Sequence, residues 1–185
     1  MRALVSLYHA VFHQIEQIGG WLLPLVARFI VAASLLAYYW HSGLTKLGDG
    51  ALGIFNPSIS AYAQIFPKQI EAVGYDPTQL SILHWWVVVG GTWAEFLLPA
   101  MIVAGLLTRL ASMGLIGFVV MQSLTDVYGH GMTDAKTLGF WFDRFPDSVI
   151  MDQRLFWVFT LAFLVVKGGG ALSLDAGFRR WLSPG

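Results

Sequence analysis

The chain contains no cysteine. That excludes disulfide exchange, thiolate catalysis, Cys-ligated zinc or iron–sulfur centres and CxxCH haem attachment. Charge is scarce too. Only 12% of the 185 residues are Asp, Glu, Lys or Arg, where soluble domains carry roughly 25%. Eleven cations balance eleven anions, so there is no electrostatic footprint for nucleic acid. No nucleophile elbow, phosphate loop or dinucleotide fingerprint is present. Gly168-Gly169-Gly170 lacks the preceding strand and following helix of a phosphate cradle. Apolar residues are what the chain has in abundance, 56% of the total, with a mean hydropathy of +0.64. A water-soluble protein of this size could not hide that much apolar surface in one core. The composition implies an integral membrane protein: an all-α, four-transmembrane-helix bundle in one small domain.

Residues 1–20 are expected to form an amphipathic helix in the membrane interface. Leu4, Tyr8, Val11, Ile15 and Ile18 share one stripe, with Arg2, His9, His13, Glu16 and Gln17 mostly opposite. The segment lacks the continuous apolar core and small-residue cleavage site of a signal peptide, so insertion is expected through the first span. Gly19-Gly20 is expected to break the helix. The first span is then Trp21–Tyr39, with Pro24 in its first turn and aromatic residues at both ends. Residues 41–80 read as an outer cap with short helices near Ser60–Phe66 and Pro67–Val73, marked by Asn56-Pro57, Phe66-Pro67 and Asp76-Pro77. The second span, Ile82–Leu107, and the third, from Thr108 to about Val127, form a tight hairpin in which Gly90, Ala94, Gly114 and Gly117 permit close approach. A second polar segment, Tyr128–Gln153, precedes the fourth span, Leu155–Leu174. The four-helix domain thus covers 21–175, and 176–185 is a tail; Ser173 and Asp175 read as a helix cap.

Four spans place both termini on one side. Six Lys/Arg fall there (Arg2, Arg28, Arg109, Lys167, Arg179, Arg180) and five on the loop side (Lys46, Lys68, Lys136, Arg144, Arg154). The balance leans towards cytoplasmic termini, and the loop-side carboxylates lean the same way.

A charge at mid-membrane costs about 2.5–3.5 kcal/mol on insertion scales and calls for a partner. Arg28 lies 13 residues before His41, and Glu95 lies 11 after His84. At 1.5 Å per residue these are depths of about 20 and 16 Å, which pairs Arg28 with Glu95. Such a pair either locks two helices together or forms a polar site for a quinone headgroup or a proton relay. Gln122 and Lys167 could join either network. Alternating topology puts His41, His84 and His130 at one outer face, with Asp126 a turn before His130. That set either binds a metal or hydrogen-bonds at the interface. His9 and His13, at i and i+4, could share a metal on the other side.

Arg28, followed by His41-Ser42-Gly43-Leu44-Thr45-Lys46-Leu47, resembles the start of the DoxX family. Ala94-Glu95-Phe96-Leu97-Leu98-Pro99 and Gly105 through Thr108-Arg109-Leu110-Ala111 resemble its central motif. Lys167-Gly168-Gly169-Gly170 through Leu172-Ser173-Leu174-Asp175 resembles its close. The resemblance implies a four-helix inner-membrane protein of bacteria, tied to redox physiology and related to the small quinol-oxidase and thiosulfate:quinone oxidoreductase subunits. Other members are linked to oxidative stress and metal handling. Carried over by position, its candidate residues are Arg28, Gly43, Lys46, Glu95, Arg109 and Asp175. The long first outer loop and the 128–153 segment depart from a minimal member of that family.

The expected function is therefore an accessory subunit of a quinone-linked redox system, working with other membrane or periplasmic subunits in the lipid bilayer. The alternatives are a metal-handling or small-solute protein using the outer histidines, and a structural docking scaffold. With no cofactor motif and little mass outside the bilayer, an autonomous enzyme is not expected.

Overall fold

In lipid, backbone N–H and C=O groups must be satisfied within the protein, which leaves helices or closed barrels. The computed structural model describes residues 1–50 and 52–183, and among these the regular structure is all helical. Ala51, in the expected outer cap, and Pro184 and Gly185, in the expected tail, lie outside the described residues. Among the described residues, four helices are long and apolar enough to cross a membrane: Leu4–Leu44, Ile82–Ala104, Thr108–Gly129 and Val149–Lys167.

The first is one rod. Helix α1 (Arg2–Val31) passes through a π-helical turn, Ala32–Leu36, into α2 (Ala37–Leu44). The expected break at Gly19-Gly20 is absent. Two glycines cost about 1 kcal/mol each in a helix, but they neither remove a donor nor clash, and the good helix formers Glu16, Gln17, Leu22 and Leu23 lie nearby. Pro24 consequently sits inside α1 rather than in a first turn. The outer cap holds α3 (Ile59–Ile65) and α4 (Pro67–Ala72), close to the expected positions. Ser58 caps α3 by accepting from the Ala61 amide, and Pro67 starts α4 where its missing N–H is harmless.

Helix α5 (Ile82–Ala104) ends at Gly105, whose φ of +72° is left-handed. The residue must be glycine for a second reason: a Cβ there would stand 2.5 Å from the Ser173 Cβ. Helix α6 (Thr108–Leu124) follows at once and unwinds into a π turn, Thr125–Gly129. The expected hairpin is therefore present. A turn-rich segment and a third π turn, Val149–Gln153, lead to α7 (Arg154–Lys167). The fourth span stops at Lys167, not Leu174, because Gly168 takes a φ of +76°. Most of the expected tail is a further helix, α8 (Leu174–Leu182), capped by the Ser173 hydroxyl.

The spans close into a ring. Helices α1 and α2 pack on α5, α5 on α6, α6 on α7, and α7 back on α1. Their shared core is Ala27, Val31, Leu35, Tyr39, Ile102, Ala111, Leu115, Val119, Leu161 and Leu164. A separate small core of Ala61, Tyr62, Ile70 and Val88 joins the outer cap to the outer half of α5. The outer faces of the spans carry exposed Phe29, Leu97, Leu110, Met113, Val120, Phe156 and Phe159, as a lipid-facing surface requires.

Candidate functional site

Helix α5 overshoots α2, and this offset decides which charges meet. The indole N–H of Trp40 donates to the Phe96 carbonyl at 3.0 Å, so Phe96 is level with Trp40. His84 lies twelve residues earlier and therefore about 18 Å further out, among the cap helices. Glu95 thus faces the end of α2 and not Arg28. The expected Arg28–Glu95 ion pair does not form.

Glu95 pairs instead with Lys46. The Lys46 ammonium is 3.0 Å from Glu95 Oε1, and the residues are only 3% and 4% exposed. Lys46 lies just beyond the last turn of α2, and its side chain reaches back to Ser42, one turn earlier, as helical side chains do. It donates to the Ser42 hydroxyl at 2.7 Å and to the Ser42 carbonyl at 3.3 Å. The Ser42 hydroxyl donates in turn to Glu95 Oε1 at 3.1 Å. Glu95 Oε2 is buried and has no hydrogen-bond partner among the described residues. Next to this cluster α2 and α5 touch closely: a Cβ on Gly43 would stand 2.7 Å from Phe96 Cζ.

The cluster forms part of the wall of a cavity of about 850 Å³ between α5 and α6, roofed by Gln64, Ile65 and Phe66 of the outer cap. Gly90, Gly91, Gly114 and Gly117 line it. Apart from the local helix backbone and the adjoining residues, no described atom lies within 4 Å of the place where a Cβ on Gly90 or Gly117 would stand. Trp86, Val87 and Met121 at its edge are exposed on the outside of the bundle, so the cavity has a side opening where lipid would be.

A second polar group joins the same cavity. Arg154, at the start of α7, is buried and pairs with Asp126 on the π turn after α6, and donates to the Ser123 hydroxyl at 2.8 Å. Its Nε–H has no partner among the described residues. Gln122 accepts from the Tyr39 hydroxyl at 3.2 Å and donates to the Tyr38 hydroxyl at 2.7 Å. Ser42 and Arg154 were absent from the sequence candidates. Ser42 had a signal, its i, i+4 spacing from Lys46. Arg154 had a weaker one, a cation directly abutting an apolar run.

Arg28 has a different role. Its Nε donates to the Ile102 carbonyl at 3.1 Å and its Nη2 to the Val103 carbonyl at 2.6 Å. Its Nη1 donates to Gly169 at 3.1 Å and to Leu172. Ile102 and Val103 are in the last turn of α5, where carbonyls lack their i+4 helical partners and the helix dipole is negative; the Ile102 carbonyl also accepts from the Gly105 amide at 3.0 Å. One planar guanidinium, with five donors, ties the end of α5 to the loop after α7. These partners lie seven and eight residues beyond Glu95, about 10–12 Å deeper. Asp175 completes this lower knot from α8 by capping α6. Its carboxylate accepts from the Leu107 amide at 2.7 Å, and from the Thr108 amide and hydroxyl at 2.9 and 2.8 Å. Burial pushes this carboxyl up, but those hydrogen bonds outweigh it and hold it below the ordinary carboxylate range. Of the other expected polar-site residues, Arg109 and Lys167 are exposed near the same end and do not reach the cavity.

The outer histidines do not gather. No three His, Asp or Glu residues stand close enough together to share a metal among the described residues. His84 bonds Ser81 at 2.8 Å and stacks edge-on against Phe66. The His130 Nε2 lies 3.0 Å from the Gln64 carbonyl, and Asp126 is committed to Arg154. The expected His41, His84, His130 and Asp126 site is overturned by the height of α5, which lifts His84 away from His41. On α1, His13 lies 2.9 Å from the Gln17 side chain.

A model of the DoxX family matches residues 23–125, more than half of the chain. No curated protein and no solved structure matches it.

Proposed function

The chain belongs to the DoxX family, and we propose that it serves as an accessory subunit of a quinone-linked redox system in the bacterial inner membrane. Its α5–α6 cavity would receive the polar head of a lipid-soluble redox carrier. One observation supports this reading above the rest: Glu95 lines the cavity beside Lys46, and its second carboxylate oxygen is buried with no hydrogen-bond partner among the described residues. An unsatisfied buried charged oxygen costs free energy, and sites where such a group faces a roomy apolar cavity are where ligands bind. The side opening suits a molecule that arrives from the bilayer, and the apolar lining suits its ring and tail.

This reading places both termini in the cytoplasm. Lys46 and Arg154, two of the five loop-side cations, are already neutralised by Glu95 and Asp126, which strengthens the positive-inside bias towards the terminal side. Partner subunits would dock on the outer loops or the long α1 rod.

The test is purification in mild detergent, followed by solvent extraction and mass spectrometry of bound lipids and of co-purifying subunits. Bound quinone in the wild type that is lost in Gly117→Leu, which fills the cavity away from the ion pair, is the expected result. A quinone-free protein without redox partners would overturn the proposal.

A further inference from the structure

The hydrogen-bonding inventory of the cavity wall specifies more than the presence of a ligand. We infer that the Glu95 end of the cavity selects the hydroxyl form of its ligand, a neutral, flat, lipid-soluble molecule whose head donates an O–H, over the carbonyl form of the same head. This rests on the reading of the cavity as a carrier site, and it adds a preference for redox state.

The argument is a count of donors. A lysine ammonium has three N–H donors and no acceptor. Those of Lys46 go to the Ser42 carbonyl, the Ser42 hydroxyl and Glu95 Oε1. The hydrogen of the Ser42 hydroxyl goes to the same carboxylate oxygen. Every donor of the cluster is therefore in use, and the group left without a partner among the described residues is an acceptor, Glu95 Oε2. A ligand carbonyl placed there would meet a carboxylate oxygen with no hydrogen between them. A ligand hydroxyl would form a charge-assisted O–H···O⁻ bond, one of the stronger kinds.

Charge narrows the class further. Lys46 and Glu95 already cancel, so an ammonium donor would bring an uncompensated cation into a site that opens on lipid, which is costly. A neutral hydroxyl brings the hydrogen without the charge. Shape adds the flatness: Gly90, Gly91, Gly114 and Gly117 contribute backbone surface without side chains, and Phe66, Trp86 and Phe118 supply apolar and aromatic contact. Elsewhere on the wall the free group has the opposite sign, for the Nε–H of Arg154 is a donor in want of an acceptor. A hydroxyl oxygen and a carbonyl oxygen can both accept from such a donor, so the choice between the two forms is made at Glu95.

The experiment titrates the detergent-purified full chain, without oxygen, with decylhydroquinone and separately with decylquinone, and follows quenching of tryptophan fluorescence, to which Trp86 in the cavity wall contributes. The hydroquinone is expected to bind at least about tenfold more tightly, the effect of one buried hydrogen bond made or missed. Glu95→Gln replaces the open acceptor with an N–H donor when its carbonyl stays on Lys46, and it should reverse the order so that the quinone binds better. Equal binding of the two forms by the wild type overturns the inference and leaves the carrier site standing. Failure of both to bind the wild type, or binding unaltered by Gly117→Leu, overturns the carrier reading itself. The wild-type comparison decides the question even if Glu95→Gln does not fold.

Discussion

The Lys46 ammonium sits 3.0 Å from Glu95 Oε1, joining the end of α2 to the middle of α5, with Ser42 bonded to both. Removing one member leaves a buried charge without its partner, which costs roughly 3–5 kcal/mol. Lys46→Ala should therefore lower Tm in detergent by about 10 °C. Lys46→Ala combined with Glu95→Ala should be less harmful than the sum of the single changes. Additive effects in that double-mutant cycle would mean the two side chains do not interact.

Arg28 and Glu95 make the contrasting case. They belong to separate networks, so Arg28→Ala and Glu95→Ala should add within about 0.5 kcal/mol. A coupling of about 2 kcal/mol or more, read from the same thermal cycle, would restore the direct pair.

Arg28 itself should tolerate no cationic substitute. Four carbonyls on two segments converge on its fork, and a lysine has a shorter reach and three donors around one point. Arg28→Lys should keep less than half of the stability that Arg28→Ala loses. Near-wild-type melting of Arg28→Lys would show that charge alone suffices.

The sequence made some of this legible and hid the rest for a definite reason. The spans, the α5–α6 hairpin and the cap helices follow from local pattern: apolar runs, Pro67 at a helix start, and Gly105 at a helix end. Glu95 and Gln122 are recognisable as polar side chains that need a reason to be in lipid, and Lys46 is singled out by the family resemblance. Their pairing was not recognisable, because it depends on the relative height of the helices. Depths counted inward from His41 and His84 agree only if those residues are level, whereas the Trp40–Phe96 hydrogen bond puts His84 about eleven residues further out than His41. The same offset dissolved the histidine cluster. The continuity of α1 through Gly19-Gly20 was hidden because breaking residues are read one at a time, while a helix survives on its neighbours.

Asp175 gives the pH dependence a sign. Its folded-state pKa lies below the ordinary value of about 3.9, so the stability it contributes is present above that value and is lost as pH falls through the folded one. Asp175→Asn replaces the acceptor facing the Thr108 amide and hydroxyl with a donor and should cost about 1–2 kcal/mol. The Tm difference between wild type and Asp175→Asn should be constant above about pH 5 and should shrink below it. A difference that grows on acidification would contradict the cap.

Gly43 should be intolerant of size. A Cβ there falls 2.7 Å from the Phe96 ring, so Gly43→Val must displace that ring or push α2 away from α5, next to the Lys46–Glu95 bond. A loss of about 2–3 kcal/mol is expected, seen as a Tm fall; unchanged melting would show that the contact is loose.

The availability of the Glu95 carboxylate to a ligand is best tested by infrared difference spectroscopy on protein labelled with carboxyl-¹³C glutamate, recorded with and without decylhydroquinone. The account predicts a shift of a labelled carboxylate band on ligand addition, and the loss of that feature in Glu95→Gln. A difference spectrum with no labelled carboxylate band, or one identical in wild type and Glu95→Gln while the ligand is shown to be bound, would contradict it.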